Sequence, residues 1–184
     1  MRIETERLTL REWREEDRAP FAVMNADPEV MLYFPALLSR AESDALVERE
    51  EASFARDGFG LWAVERKDDG AFIGFIGLGG SHSGTPVDDY PEIGWRLARS
   101  AWRQGFASEG AAASLAWAWR NLPHDRIVSF TAVINEPSWR VMKRIGMTHR
   151  PDLDFEHPKV PEGSPLRPHV TFVIDRPETR DAPA

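Results

Sequence analysis

Apolar and polar residues alternate over residues 6–13, with Leu8 and Leu10 on one side and Trp13 also expected inward, the period-two pattern of a half-buried strand. Over Glu15–Asn25 the period lengthens: Phe21 and Met24 are three apart, which predicts a helix ended by Asp27-Pro28. A second helix is expected from about Ala41, with Ser39 as its cap, Glu42 as capping-box partner and Gly58 as its stop. Leu61–Arg66 and residues 72–78 flank Asp68-Asp69-Gly70 and form a predicted hairpin; Gly74 and Gly77 point to a bulge or a close backbone approach.

Beyond a loop at residues 81–89, the pattern predicts a strand at Glu92–Leu97, a glycine-containing turn at 102–107 and a helix at 108–119. Ala112, Leu115, Ala116 and Trp119 follow the i, i+3, i+4, i+7 rule and are expected to face a sheet. Residues 127–133, rich in β-branched and aromatic side chains, form the next expected strand. Asn135 can cap the helix that follows, Pro137 is tolerated in its first turn, Lys143 and Arg144 suit its C-terminal dipole, and Gly146 ends it. Ser138, Val141, Met142 and Ile145 share its inward stripe, which puts one hydroxyl near the helix start. A last strand at 169–174 precedes a polar tail, residues 176–184, expected to be disordered.

The 184 residues, 42% of them hydrophobic, suit one packed domain over residues 1–175. The alternating charged start has no apolar run long enough for a signal peptide or a membrane span, so a soluble cytoplasmic protein with no membrane partner is expected. Cysteine is absent, which excludes disulfides, thiolate metal sites and a cysteine nucleophile; any thiol in the chemistry must arrive with a ligand. A net charge of −7 speaks against nucleic acid and suits a cationic or amine-bearing substrate, although solubility alone also explains such a charge.

Two junctions between strand and helix carry the chemistry. The turn Trp102-Arg103-Gln104-Gly105-Phe106-Ala107 places permissive residues before a helix, where successive N–H groups and the dipole attract a pyrophosphate; alone, the same pattern also describes an ordinary tight turn. The second is the segment running from Asn135 through Ser138 to Met147, whose cap also has a purely structural explanation. Both features occur in order in one chain.

With Glu92-Ile93-Gly94-Trp95-Arg96-Leu97, the turn through Glu109, the Asn-x-Pro-Ser-x-Arg-Val-Met…Gly-Met segment and the opening Glu4-Thr5-Glu6-Arg7-Leu8-Thr9-Leu10-Arg11, the chain resembles the GNAT N-acetyltransferases, specifically their RimJ/RimL-like branch, over residues 3–175. The resemblance implies an α+β fold: a central, mostly antiparallel, splayed sheet of six to seven strands flanked by about four helices. The pyrophosphate signature of the family, Q/R-x-x-G-x-G/A, is met by Gly105 and Ala107, with Trp102 in place of its first residue. By resemblance, acetyl-coenzyme A is the co-substrate, Trp95, Arg96 and Leu97 line its pantetheine through main-chain contacts, Trp102 and Arg103 belong to the cofactor-binding turn, Gln104 to Ser108 (Gly105, Phe106 and Ala107 between them) cradle the pyrophosphate, and Asn135 and Ser138 lie beside the arm or thioester.

The implied reaction is direct attack of a neutral primary amine, a protein N-terminal α-amine or a small amine, on the thioester through a tetrahedral intermediate. An amine of pKa about 8 to 10.4 must first lose a proton. Glu92 is the candidate base, its structural alternative being a cross-strand ion pair, and Ser138 the candidate hydrogen-bond donor to the leaving thiolate. The long segment 152–168 brings Asp154, Glu156 and His157 as further candidates near an acceptor pocket that Phe34, Trp62 and Phe155 can wall, although core packing also accounts for such aromatics. No His/Asp/Glu spacing resembles a metal site, so no metal is expected, and a homodimer is common among resembling proteins. A non-catalytic acyl-CoA-binding module is the alternative; a nucleotide-binding module lacks the G-x-x-x-x-G-K-[ST] loop.

Overall fold

A computed structural model describes residues 2–80 and 84–177. Strands β1 (Arg2–Glu4), β2 (Leu8–Arg11), β3 (Leu61–Arg66), β4 (Phe72–Gly79), β5 (Glu92–Leu97), β6 (Arg126–Ala132), β7 (Thr148–His149), β8 (Phe155–Glu156) and β9 (Pro168–Asp175) form one sheet. Helices α1 (Glu15–Asn25), α2 (Arg40–Asp57), α3 (Phe106–Asn121) and α4 (Glu136–Arg144) flank it. The order is β1-β2-β3-β4-β5-β6-β9-β7 with β8 on β9, and every ladder is antiparallel except that of β5 with β6. The expected α+β architecture is present, with nine strands rather than six to seven. The extra strands, β1, β7 and β8, are too short to display an alternating pattern.

Helix α3 covers one face, over Leu8, Leu10, Val64, Ile76, Leu78 and Ile127; α1 and α2 cover the other, over Trp13, Ala63 and Phe75. Covering both faces buries β3 and β4 almost entirely. Trp62, expected to wall an acceptor site, is instead 0% exposed and packs between Phe54 and Trp117, with ring centroids 5.9 and 5.2 Å away. It lines neither the cleft walled by Trp95, Arg96 and Leu97 nor the smaller cavity behind Arg96.

The inward stripe of α3 also differs from expectation. Gly110, Ala111, Ser114, Leu115 and Ala118 are buried, whereas Ala112 and Ala116 are exposed and Trp119 sits at the core margin. Alanine on every side makes apolar periodicity ambiguous here, and side-chain size selects the face. A Cβ on Gly110 would lie 2.5 Å from Ile76 Cδ1, so only this small-residue face lets the helix settle onto β4. Gly74 and Gly77 make the close approaches expected of them: a Cβ would lie 2.1 Å from the Arg96 carbonyl oxygen and 2.3 Å from that of Gly60, respectively. Gly74 also has φ 130°, in a region that side chains avoid.

Alternation alone would put Thr9 and Arg11 in solvent, but both are buried: Thr9 meets the side chains of Arg2 and Glu4 on β1, and Arg11 is held by α1. Arg11 binds Asp17 through two bonds of 2.7 and 2.8 Å and reaches Glu65 at 2.9 Å; the Asp17 side chain is 1% exposed. The two carboxylates hold the Arg11 guanidinium above its usual range, Asp17 contributing most. Asp17 also accepts the Arg14 N–H at the start of α1, which joins the strand, the helix start and the ion pair at one point.

Arg176, expected to begin a disordered tail, is anchored: it donates to the carbonyl of Trp119 in the last turn of α3 and to those of Leu122 and His124 just beyond it. The rest of that expected tail, from residue 178, and residues 81–83 of the expected loop lie outside the described residues.

Two substitutions test this packing. Gly77→Val forces apart the main chains of residues 60 and 77 and is expected to lower stability by about 3 kcal/mol. Asp17→Ala leaves a buried guanidinium short of its principal partner and is expected to cost about 3–5 kcal/mol. Urea denaturation monitored by tryptophan fluorescence measures both.

Candidate active site

Strands β5 and β6 run side by side for one registered pair, Glu92 with Val128, closed by the Val128 N–H donating to the Pro91 carbonyl at 3.0 Å. Beyond it they part, β5 staying with β4 and β6 with β9. Main-chain groups alternate along a strand, so those of Trp95 and Leu97 face the same side as the Pro91 carbonyl, toward a neighbour that has diverged. The Leu97 carbonyl accepts the Trp102 indole N–H at 2.8 Å. Trp95 fronts the gap.

The gap leads to the turn before α3. Arg103 has φ 59° and Gly105 φ 85°, two left-handed residues that curl the chain around its N–H groups. The first bond of α3 runs from Glu109 N–H to the Gly105 carbonyl at 3.0 Å, which leaves the N–H groups of Phe106, Ala107 and Ser108 as the free donors of a helix start. The turn is tied from behind by the segment leading into β2. Arg7 donates to the Gln104 carbonyl at 2.9 Å and to Glu109 at 2.7 Å, Thr5 donates to Glu109 at 2.6 Å, and the Arg7 guanidinium lies 4.6 Å from the Phe106 ring centre. Burial pushes the Glu109 carboxyl up, but hydrogen bonds from Thr5 and Arg7 together with the Arg7 charge hold it below the usual range. Sequence reasoning missed this tie, since no spacing rule links residues 102 positions apart.

A cleft of about 630 Å³ occupies the gap. Its walls include Trp95, Arg96 and Leu97 of β5, Trp102, Arg103, Gly105, Phe106, Ala107 and Ser108 around the turn, and Asn135 and Ser138 at the start of α4. Gln104 does not line it: its side chain folds back to the Ser100 carbonyl at 2.7 Å. Both ends of the Asn135 amide serve the local fold, accepting the Ser138 N–H at 3.4 Å and donating to Thr131 Oγ1 at 2.8 Å. The Ser138 hydroxyl has no hydrogen-bond partner among the described residues.

The donors fit a pyrophosphate. Ser108 buries its hydroxyl without a partner, and Arg103 and Arg144 line the cleft with no carboxylate paired to them among the described residues, whereas Arg140 pairs with Glu136. Trp95, Leu97, Ala101 and Val141 give the rest of the cleft an apolar wall suited to a thin flexible arm.

Glu92, Gly94 and Arg96 alternate onto the face of the sheet that α1 and α2 cover. Phe34 meets Arg96 there, its ring centre 4.0 Å from the guanidinium. The other expected acceptor residues disperse. Asp154 is a latch, accepting the Thr171 N–H at 2.8 Å and facing His149 Nε2 at 2.9 Å, and it does not line the cleft. Phe155 and His157 join Phe130 and His169 in a ring cluster beside β6; Phe130 and Phe155 are 5.2 Å apart and the two imidazoles 4.8 Å apart. Burial pushes both imidazoles below their usual range, and the neighbouring His169 lowers His157 further. Among the described residues, no cluster of three or more His, Asp or Glu side chains is arranged to hold a metal ion, and no helix is long and apolar enough to cross a membrane.

A family model described as Acetyltransferase (GNAT) domain matches residues 7–148. The Bacillus subtilis protein named Uncharacterized N-acetyltransferase YnaD is 30% identical over 151 residues, spanning 80% of this chain and 82% of that one. Among solved structures, a GNAT-family acetyltransferase from Bacillus anthracis superposes with a TM-score of 0.79 at 24% identity, over 96% of this chain and 99% of that one. RimL, a ribosomal L7/L12 alpha-N-protein acetyltransferase solved in complex with coenzyme A, superposes with a TM-score of 0.76 at 17% identity, over 95% and 98% of the two chains. These structures share the fold seen here. By the family match over residues 7–148, the chain belongs to the GNAT acetyltransferase family.

Proposed function

We propose that the protein transfers the acetyl group of acetyl-coenzyme A to a primary amine, either a protein N-terminal α-amine or the amine of a small molecule. One observation carries this reading: the cleft in the gap between β5 and β6 extends from Trp95 and the start of α4 to the donor-rich turn where Ser108 keeps an unpartnered hydroxyl. An apolar channel ending in an array of N–H groups matches an apolar arm ending in a pyrophosphate. The likeness to RimL, an enzyme solved with coenzyme A, and to a relative named an N-acetyltransferase supports the choice of ligand and of the RimJ/RimL-like branch.

In this reading the co-substrate brings an activated acetyl group as a thioester. The Trp95 main chain pairs with the arm as an added strand would, the turn N–H groups and Ser108 hold the pyrophosphate, and the guanidinium groups of Arg103 and Arg144 offset its charge. Glu92, at the rung where the strands begin to part, takes the proton of the attacking amine. The amine nitrogen adds to the acetyl carbon to give a tetrahedral intermediate, which collapses as the carbon–sulfur bond breaks and coenzyme A leaves as its thiolate. Ser138 donates a hydrogen bond to the departing sulfur.

Gly105→Glu puts bulk and negative charge into the turn at a positive φ and is expected to raise the Kd for acetyl-coenzyme A at least about 100-fold by calorimetry, a loss of about 2.8 kcal/mol, with the circular dichroism spectrum unchanged. Unchanged affinity removes the cofactor assignment. Glu92→Gln is expected to lower kcat by about 100-fold or more, in the range of general-base catalysis, while the Kd for acetyl-coenzyme A stays within about twofold. Failure of the wild-type protein to release thiol with any of a broad set of amines and N-terminal peptides, with coenzyme A binding intact, assigns it a non-catalytic acyl-CoA-binding role instead.

A further inference from the structure

Arg96 is the one largely enclosed arginine among the described residues that has no carboxylate. Arg11 has Asp17 and Glu65, Arg18 has Glu15 and Glu51, and Arg167 has Glu156. Arg96 instead donates from Nη1 to the neutral Asn25 Oδ1 at 2.7 Å, while its Nε is buried with no hydrogen-bond partner. Nη2 has no partner among the described residues either and, unlike Nε, is not closed off. Phe34 and Phe75 stack against the guanidinium at 4.0 and 5.4 Å. Stacking favours the cation but gives its N–H groups nothing to bind.

A chain with 30 acidic residues has carboxylates in abundance, so an enclosed guanidinium without one stands out. Burial pushes its pKa down to about 10, which still leaves it charged at neutral pH. Glu50, on the small cavity of about 130 Å³ behind Arg96, is not the missing partner: it accepts the Leu61 N–H at 2.8 Å and makes no ion pair with Arg96. On its other side Arg96 lines the cleft. Two residues back along β5, on the same face, Gly94 would point a Cβ into open space, with no atom within 4 Å. The floor between Glu92 and Arg96 is therefore bare.

From this geometry we infer that Arg96 binds a carboxylate of the acceptor, so that the preferred substrate is an amine that itself carries a carboxylate group. The inference rests on the acetyl-transfer reading for the role of the amine, but the anion site stands on Arg96 alone. A carboxylate lying over Gly94 gives the open edge of the guanidinium the oxygen it lacks, a charge-assisted bond in an enclosed place where such bonds are strong. The same contact fixes the amine relative to Glu92, and a neutral analogue leaves the guanidinium desolvated and unpaired. Phe34 forms a lid over the pair. The carboxylate can belong to a free amino acid or to an acidic residue next to a peptide N-terminus, and matched acceptors separate the two.

The test uses full-length protein and pairs of acceptors that differ only in that group: free α-, β- and γ-amino acids against their carboxamides, and short peptides with Asp against Asn in second position. Thiol release from acetyl-coenzyme A gives kcat/KM, and calorimetry on protein saturated with coenzyme A gives acceptor affinity independently of turnover. Wild type is expected to favour the carboxylate member of at least one set by about 30-fold or more, the set identifying the source. Arg96→Met is expected to abolish that preference, lowering the carboxylate-to-neutral ratio of kcat/KM by about 30-fold or more. Arg96→Lys, which keeps the charge and loses the fork, is expected to fall between. Equal use of both members by wild type, or a preference that survives in Arg96→Met, overturns the inference. Should Arg96→Met not fold, the wild-type comparison and Arg96→Lys decide it. Arg96-dependent binding of the carboxylate members without thiol release would uphold the anion site and sink the acetyl-transfer reading; absence of both binding and turnover of those members sinks the inference.

Discussion

The parting of β5 and β6 after a single parallel rung is the constraint on which the rest of the site depends. A strand inside a sheet has donors and acceptors on both edges, and a gap on one edge leaves main-chain groups that water or a ligand must satisfy. The molecule closes part of the gap itself, with Trp102 on the Leu97 carbonyl, and leaves the Trp95 edge open. The start of α4 lines the far wall and the start of α3 closes the end, so that two helix N-termini border one cleft.

Holding strands apart requires rigid surroundings. On one side of the gap, β4 presses on β5 and β3 through Gly74 and Gly77, at distances that no larger residue allows, and α3 seats on β4 through Gly110. Behind the turn, Thr5 and Arg7 clamp Glu109 one helical turn past Gly105. On the other side, β6 is paired along its length with β9. The splay is thus a property of two well-packed half-sheets that meet at Glu92 and Val128.

The charges divide in a similar way. Arg11 and Asp17 cancel inside the α1 junction, where each removes the cost of burying the other. At the cleft, by contrast, Arg103, Arg144 and Arg96 stand without carboxylates in a chain of net charge −7. Arg103 lies in the turn before α3 and Arg144 at the end of α4. The Arg96 side chain reaches toward α1 and Phe34, where it meets the Asn25 amide and the Phe34 ring.

Much of the frame was legible in the chain. Helical spacing with the Asp27-Pro28 break located α1, capping residues and glycine stops α2 and α4, and alternation, turn residues and β-branched runs the six longer strands, because these signals act within a few residues of where they are written. Gly74 and Gly77 announced close approaches, and the turn at 102–107 with Asn135 and Ser138 marked the two junctions that the fold brings to one cleft. What failed was what depends on neighbours far along the chain. Trp62 is core because α3 covers its face, Asp154 is a latch because β9 offers it an N–H, Ala112 faces solvent because Gly110 gives the closer fit, and Arg176 is anchored by the end of α3. Sequence alone thus fixed the local elements and the residues able to receive an anion. Tertiary structure decided which side chains lost their partners, since whether Arg96 stands beside a carboxylate or beside Asn25 is set by how α1 packs on β5, through contacts that no local pattern encodes.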